Sequence, residues 1–396
     1  MKVLQLCHKP PIPTIDGGCI AINNISQGLL QKGIELKIFT ASTEKHPFLP
    51  DEIPTDFKKK TKIEGLFLDT RVNIIDAFSA LVTSDSYNIS RFFSPDFNKR
   101  LIDILEQDRY DVVHLESLFM TPYVSTIRAH SKAKVILRSH NLEHLIWERL
   151  ANSTGNKAKK VYLKHLAAKL KKYELNTINE VDGIAAISQE DTDRFKSLDC
   201  STSLITVPFG IDLEKYNVLP NKNLKKNHLF HIGAMNWEPN KEAINWFIDS
   251  VFPKISKLDI EIHLAGRAMP KSMFDIANDQ LIVHGEVENA QDFMNANDIM
   301  IVPLLSGSGM RIKIIEAMAL GKAVISTSVG AEGIAYTNNE NIIIADSAKD
   351  FAKAIEELIN NPDKVTLLGN NARKLIESSY SNDSIINNLI SFYQSK

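Results

Sequence analysis

Cysteine is scarce in this chain. Cys7, Cys19 and Cys200 are the only three, odd in number and without metal-ligand spacing. That argues against a disulfide framework and fits a reducing compartment. Long apolar runs are missing as well. No stretch approaches the roughly 20 apolar residues needed to span a bilayer. The opening MKVLQLCHKP reads as a short strand broken by proline, not as a signal peptide. A cytoplasmic protein, or one peripheral at the inner face of a membrane, is expected. Neither charge is in excess: 46 Lys+Arg against 48 Asp+Glu leave a net charge of −2. No global field draws the chain to nucleic acid, and no nucleic-acid partner is expected. A full G-x-G-x-x-G dinucleotide fingerprint is also absent.

What is present is an ordinary globular composition, 44% hydrophobic and 24% charged, over 396 residues. That length exceeds one comfortable core and suggests two domains, at most three. The most informative stretch is Pro303 to Gly333, PLLSGSGMRIKIIEAMALGKAVISTSVGAEG. A buried strand, Asp298 to Val302, runs into a small-residue loop, Ser306 to Gly309. Arg311 to Leu320 follows as a helix closed by Gly321, and Lys322 to Thr327 is the next strand. A helix start after a glycine loop presents unpaired N–H groups and a positive dipole end to an anion. Lys313 and Glu316 share one face of that helix. The lysine suits a diphosphate and the carboxylate suits ribose hydroxyls; as a bland alternative the two form a surface ion pair.

The chain before this stretch has the same rhythm. Lys2 to Leu6 reads as a strand, Gly17-Gly18 opens a helix ending at Gly33, and Glu35 to Thr40 is the next strand. The two glycines are either a close approach to a ligand or an ordinary tight turn. Residues 44 to 100 read as an irregular insertion. Strands at Tyr110 to Leu115 and Lys134 to Leu137 end in polar clusters that include Glu116 and His140, as crevice-lining strand ends do. His140 to His144 also matches H-x-x-E-H, but His140 directly follows a strand, so it reads as a crevice residue or a helix cap and not as a zinc ligand. Lys157 to Leu175 is a basic amphipathic helix with an apolar stripe of Tyr162, Leu166 and Leu170 flanked by Leu163, Ala167 and Tyr173. It lies either on anionic lipid or as a solvated face over the core.

Residues 208–227 read as a linker between an N-terminal domain, 1–207, and a C-terminal domain, 228–379, with a final helix at about 380–396 expected to pack back on the first. Alternating strands and helices in both halves imply an α/β fold of two doubly wound, Rossmann-like domains facing across a cleft.

Taken together, the glycine loop after the first strand (Gly17-Gly18), the strand-end His140, VPFGID at 207–212, IGAMNWEPN at 232–240 and GSGMRIKIIEAMALGKAVISTSVGAEG at 307–333 resemble the family 4 retaining glycosyltransferases of the two-Rossmann-domain (GT-B) type. The GAMNWEPN form is similar to a branch found in bacterial polysaccharide gene clusters. The resemblance implies transfer of a sugar from a nucleotide-sugar donor to a glycan, glycolipid or glycoprotein acceptor, with retention and no bound metal or other cofactor. It implies that Glu316 binds ribose, that Ser308, Gly309, Met310 and Lys313 hold the diphosphate, and that Gly17 and Gly18 approach the same phosphates. His140 would sit beside the transferred sugar, and backbone near Val287 would receive the base.

Two positions depart from the family pattern: Ser308 replaces a second glutamate, and Ala234 replaces an arginine. Arg311, Lys313 and Lys241 are expected to supply the missing positive charge, and Asn236 and Arg267 complete the expected donor-binding set. Catalysis is assigned to His140, Lys313 and Arg311. A peripheral contact with anionic membrane is expected through 157–172. Two other classes stay open: a sugar-nucleotide epimerase using Glu116 or Glu143, and a non-catalytic sugar-nucleotide-binding protein.

Overall fold

The computed structural model describes residues 1–71, 87–154, 157–198, 200–218, 227–307 and 310–395. The chain divides into two units: Met1–Gly210 with Ile385–Lys396, and Ile211–Ser384. Each is a Rossmann-like α/β layer structure built on one parallel sheet.

The first unit carries β1 (Lys2–Cys7), β2 (Glu35–Ser42), β3 (Glu64–Phe67), β4 (Val112–Glu116), β5 (Lys134–Ser139), β6 (Gly183–Ala186) and β7 (Ser203–Thr206). Their spatial order is β3-β2-β1-β4-β5-β6-β7, every neighbouring pair parallel. In the second unit, β8 (Asn227–Ile232), β9 (Ile260–Ala265), β10 (Leu281–Gly285), β11 (Ile299–Val302), β12 (Ala323–Ser326) and β13 (Ile343–Ile344) take the order β10-β9-β8-β11-β12-β13. Strand order therefore reverses between β1 and β4, and again between β8 and β11. At such a switch point, adjacent crossovers leave to opposite faces and open a crevice at the strand C-termini.

Central strands β4 and β11 are buried along their whole length, as continuous apolar runs covered on both faces must be. Helix α1 (Gly17–Gln31) starts under an Asp16 side chain that accepts from the Cys19 amide, an N-cap. Later helices used below are α2 (Glu143–Ser153), α3 (Lys157–Thr177), α4 (Glu238–Trp246), α5 (Ile312–Ala319), α6 (Pro362–Ser379) and α7 (Asn382–Gln394). Ile385, Ile386 and Leu389 of α7 join a buried cluster with Ile22, Ile25 and Leu29 of α1.

Two expectations change. The stretch 44–100 is less irregular than its prolines suggest: β3 adds an edge strand, and helices span Thr55–Thr61 and Pro95–Gln107. On α3, Tyr162 is exposed and does not belong to the buried stripe. That stripe keeps Leu163, Leu166, Ala167 and Leu170 of the expected set and adds Glu174.

Candidate donor-binding and catalytic site

In the first unit the strand register assembles a buried polar cluster. Gln5 is the register partner of His114, and Glu116 pairs with Cys7 on one side and Arg138 on the other. His114 and Glu116, two apart on β4, point to the same face. The Glu116 carboxylate is fully buried. Its Oε1 accepts from Gln5 Nε2 at 2.8 Å and His114 Nε2 at 3.2 Å. Its Oε2 accepts from His140 Nε2 at 2.7 Å and lies 3.3 Å from Arg138 Nη1. Burial opposes ionisation, but the Arg138 guanidinium and the His114 ring hold the carboxyl well below its ordinary range. Glu116 is therefore an acceptor only.

That fixes the tautomers around it. His140 donates through Nε2, and burial lowers its pKa, so the ring is neutral and Nδ1 carries the lone pair. His114 likewise donates through Nε2, so its Nδ1 accepts from the Tyr393 hydroxyl of α7 at 2.6 Å. His8, just past β1, packs edge-on to His140 with ring centroids 5.6 Å apart. Its Nδ1 donates to the Glu116 carbonyl at 2.9 Å, and burial pushes its pKa down to about 3. Gln5, His8, Arg138 and Tyr393 were not singled out as site residues from sequence. Their contacts run between strands or over 279 positions, which no local pattern encodes.

The histidines of H-x-x-E-H do not share a helix face. His140 precedes α2 and is bound to Glu116, whereas His144 Nδ1 pairs with Glu174 on α3. Glu143 is buried beside Glu174, and desolvation first, then Glu174, raises its pKa to about 7. At the start of α1, Lys9 Nζ lies 2.8 Å from Asp16 Oδ1 and packs where a side chain on Gly18 would point; Gly17 is the first helical residue.

In the second unit the loops after β8, β9, β10 and β11 meet at the strand C-termini. The Gly233 amide bonds to Ala265 O, the Met235 amide to Arg267 O and the Gly266 amide to Gly285 O. Gly266 has φ +155°, and a Cβ there would stand 1.7 Å from Gly233 O, so only glycine fits. Ala234 O accepts from Asn240 Nδ2 at 2.9 Å; Asn236 and Arg267 are exposed, and Val287 is half-buried. Lys241 on α4 is ion-paired with Glu238.

Arg311 is the N-cap residue of α5, and its guanidinium lies 5.1 Å from the centroid of the Trp237 ring. A Cβ on Gly307, at φ +112°, would press on both groups at 2.9 and 3.0 Å. One turn along, Lys313 Nζ pairs with Glu316 Oε2 at 2.7 Å, and the Tyr216 hydroxyl donates to Glu316 Oε1 at 2.9 Å. Glu316 pushes the Tyr216 pKa up after burial, so the phenol stays protonated. Tyr216 lies in the stretch read as linker and was missed. Met310 is half-buried beside Gly333, and Ser308 and Gly309 lie outside the described residues. A cationic helix start with an oriented carboxylate one turn later is suited to an anionic, hydroxyl-bearing ligand.

Comparison with known proteins agrees with this layout. Residues 226–361 match the family described as Glycosyl transferases group 1. A protein described as an uncharacterized 44.6 kDa protein in the cps region of Klebsiella pneumoniae is 27% identical over 303 residues, 73% of this chain and 76% of that protein. The capsular polysaccharide biosynthesis glycosyltransferase CapM of Staphylococcus aureus is 27% identical over 199 residues, 46% of this chain and 52% of CapM. The crystal structure of Anabaena Alr3699/HepE in complex with UDP superposes with a TM-score of 0.67, at 12% identity and full coverage of both chains. The expected α/β fold of the GT-B class is thus present. Residues 15–215, about half of the chain, match the Glycosyltransferase Family 4 model, and the chain belongs to that family.

Proposed function

We propose that the protein is a retaining glycosyltransferase that moves a sugar from a nucleotide-sugar donor to a polysaccharide-related acceptor without a catalytic metal. The observation that carries this reading is the α5 start, where the Arg311 guanidinium packs on Trp237 and, further along, Lys313 pairs with a Glu316 held by Tyr216. Glu316 receives ribose hydroxyls, and Lys313, Arg311 and the helix N-terminus neutralise the diphosphate. The loop that ends at Met310 is assigned to the diphosphate, and Val287 to the base subsite. Ala234 and Arg267 belong to the loops after β8 and β9, and Asn236 and Lys241, the latter on α4, are assigned to the same donor side. In the first unit, Gly17 and Gly18 approach phosphate, and His140 faces the transferred sugar.

In the transfer step the bond from the anomeric carbon to the diphosphate oxygen breaks, and its electron pair leaves with the diphosphate. The acceptor hydroxyl bonds to the same face of that carbon, and its proton passes to the departing diphosphate. Positive charge on the sugar develops while negative charge grows on the diphosphate, so cations placed at the latter stabilise the transition state selectively. A neutral His140 suits the sugar side, because an imidazolium there would repel the developing carbocation. Its Nδ1 lone pair accepts from a sugar hydroxyl.

An epimerase of the same fold would need a free carboxyl to move protons. Glu116 is fully committed as an acceptor, which disfavours it in that role. The names of the relatives support the donor and acceptor classes: one neighbour was solved with UDP, and one relative is named for capsular polysaccharide biosynthesis.

For membrane contact through 157–172, support comes from exposed Val161 and Tyr162 on α3 beside exposed Lys157, Lys159 and Lys164. Lysine-to-glutamate reversal on this face should abolish sedimentation with phosphatidylserine vesicles; unchanged sedimentation dismisses the contact. The transfer reading is tested by incubating a panel of nucleotide sugars with glycan-lipid acceptors under EDTA. A product with the donor's anomeric configuration by NMR is expected, and an inverted product or one that requires a divalent ion overturns it.

A further inference from the structure

The second sheet carries a set of side chains that the transfer reaction leaves unused. His228 on β8 and Glu261 on β9 are register partners, and His263 lies two residues further along β9, so all three point to one face. Glu261 Oε2 lies 3.6 Å from His228 Nε2 and 3.5 Å from His263 Nε2. One ligand atom from each residue falls within a 4.8 Å span. Tetrahedral zinc with bonds of about 2.0–2.1 Å sets its ligand atoms roughly 3.3 Å apart. The trio needs only small side-chain movements to reach that geometry.

Two further features fit a metal. His263 is nine-tenths buried, and its Nε2 has no hydrogen-bond partner among the described residues. Its other nitrogen, Nδ1, is 3.0 Å from His284 Nε2. His284 is the extra residue of a β-bulge in β10, where the register slips between Val283 and Gly285. Bulges re-aim side chains, and this one sets an acceptor behind the ligand ring. With Nδ1–H donated to His284, His263 is held in the tautomer that leaves Nε2 free to coordinate, the usual outer-sphere arrangement of a metal-bound histidine.

From this geometry we infer that His228, Glu261 and His263 form a transition-metal site, with Zn²⁺ the favoured ion and solvent in the fourth position. Two imidazoles and a carboxylate match the ligand preference of zinc and not of magnesium or calcium. The ion would tie β8 to β9, with His228 and Glu261 second in their strands and His263 the fourth of six residues in β9, so it would stabilise the sheet. A second trio, Asp16, Cys19 and His46, is a poorer candidate. There Lys9 Nζ already sits 2.8 and 3.0 Å from the two Asp16 oxygens, where the cation would go.

The test uses the full chain, free of any polyhistidine tag, stripped with EDTA and titrated with ZnCl₂ by calorimetry and with CoCl₂ by visible absorption. One equivalent of zinc, intense tetrahedral cobalt bands and a rise in Tm are expected. His228→Ala and Glu261→Gln should abolish stoichiometric binding, with folding verified by circular dichroism. His284→Ala should weaken it about 10–100-fold, as loss of an outer-sphere partner does, and His46→Ala should leave it unchanged. Absence of stoichiometric binding to the wild type overturns the inference. So does equal affinity in folded His228→Ala and Glu261→Gln, or loss in His46→Ala alone.

Discussion

His140 donates through Nε2 to a Glu116 carboxylate oxygen 2.7 Å away, and this bond determines which face of the imidazole can accept. Glu116→Gln removes the charge that fixes the tautomer and leaves the Arg138 guanidinium buried without its counterion. Breaking such a pair costs about 3–5 kcal/mol. Denaturant unfolding should register that loss. Residual folded Glu116→Gln should turn over more slowly, with the His140 Nδ1 and Nε2 resonances altered in ¹⁵N spectra. Unchanged stability and spectra would show that Glu116 does not set the ring.

Tyr216→Phe removes one hydrogen bond to Glu316 and nothing from the fold's core packing except an oxygen. A hydrogen bond to a charged group contributes about 1.5–3 kcal/mol. Nucleotide affinity should fall roughly 10-fold or more, by calorimetry, while kcat at saturating donor changes little. Equal affinity in the two proteins would mean that Tyr216 merely neighbours the site.

Lys313→Ala separates a catalytic cation from a surface ion pair. Lys313 is partly exposed and already bonded to Glu316, so its loss should be nearly silent in stability. Turnover should drop about a hundredfold, the scale seen when a charge-stabilising group is removed. Near-normal turnover assigns Lys313 to the ion pair alone.

Acid should destabilise the protein before its carboxylates titrate. His8 and His231 are buried neutral, pushed down by desolvation to about 3 and about 4. Unfolded, each titrates near 6.5, so below that pH the unfolded chain binds protons that the folded chain refuses. Stability is full above about pH 6.5 and falls toward pH 4, by up to about 1.4 kcal/mol per pH unit for each histidine. Urea unfolding at pH 7.5, 6 and 5 measures it, and His231→Gln should flatten the slope. A flat profile in the wild type would contradict the burial of these rings as neutral groups.

The legible part of this protein was local. The helix before Gly321 shows in sequence because its apolar spacing, the glycine cluster ahead of it and the Gly321 stop are each signals confined to a few neighbouring residues. Helix α5 at Ile312–Ala319 falls within one residue of its expected ends. The edge strand β3 was not legible, because EGLF is four residues long and half-exposed. Nor was Tyr216, which meets Glu316 from 100 positions away. Glu116 was visible as a strand-end carboxylate, but its role depends on the register of β1, β4 and β5 and on α7, all of which are tertiary. Sequence suggested it as an acid/base candidate, whereas the structure makes it a buried, fully bonded acceptor.

The central claim is that Glu316 and the start of α5 hold a nucleoside diphosphate. Calorimetric titration of the wild type and Glu316→Ala with UDP, GDP and ADP tests it most directly. At least one nucleotide should bind the wild type and lose tenfold or more in affinity in a folded Glu316→Ala. Equal binding to both proteins, or no binding of any of the three to the wild type, would contradict it.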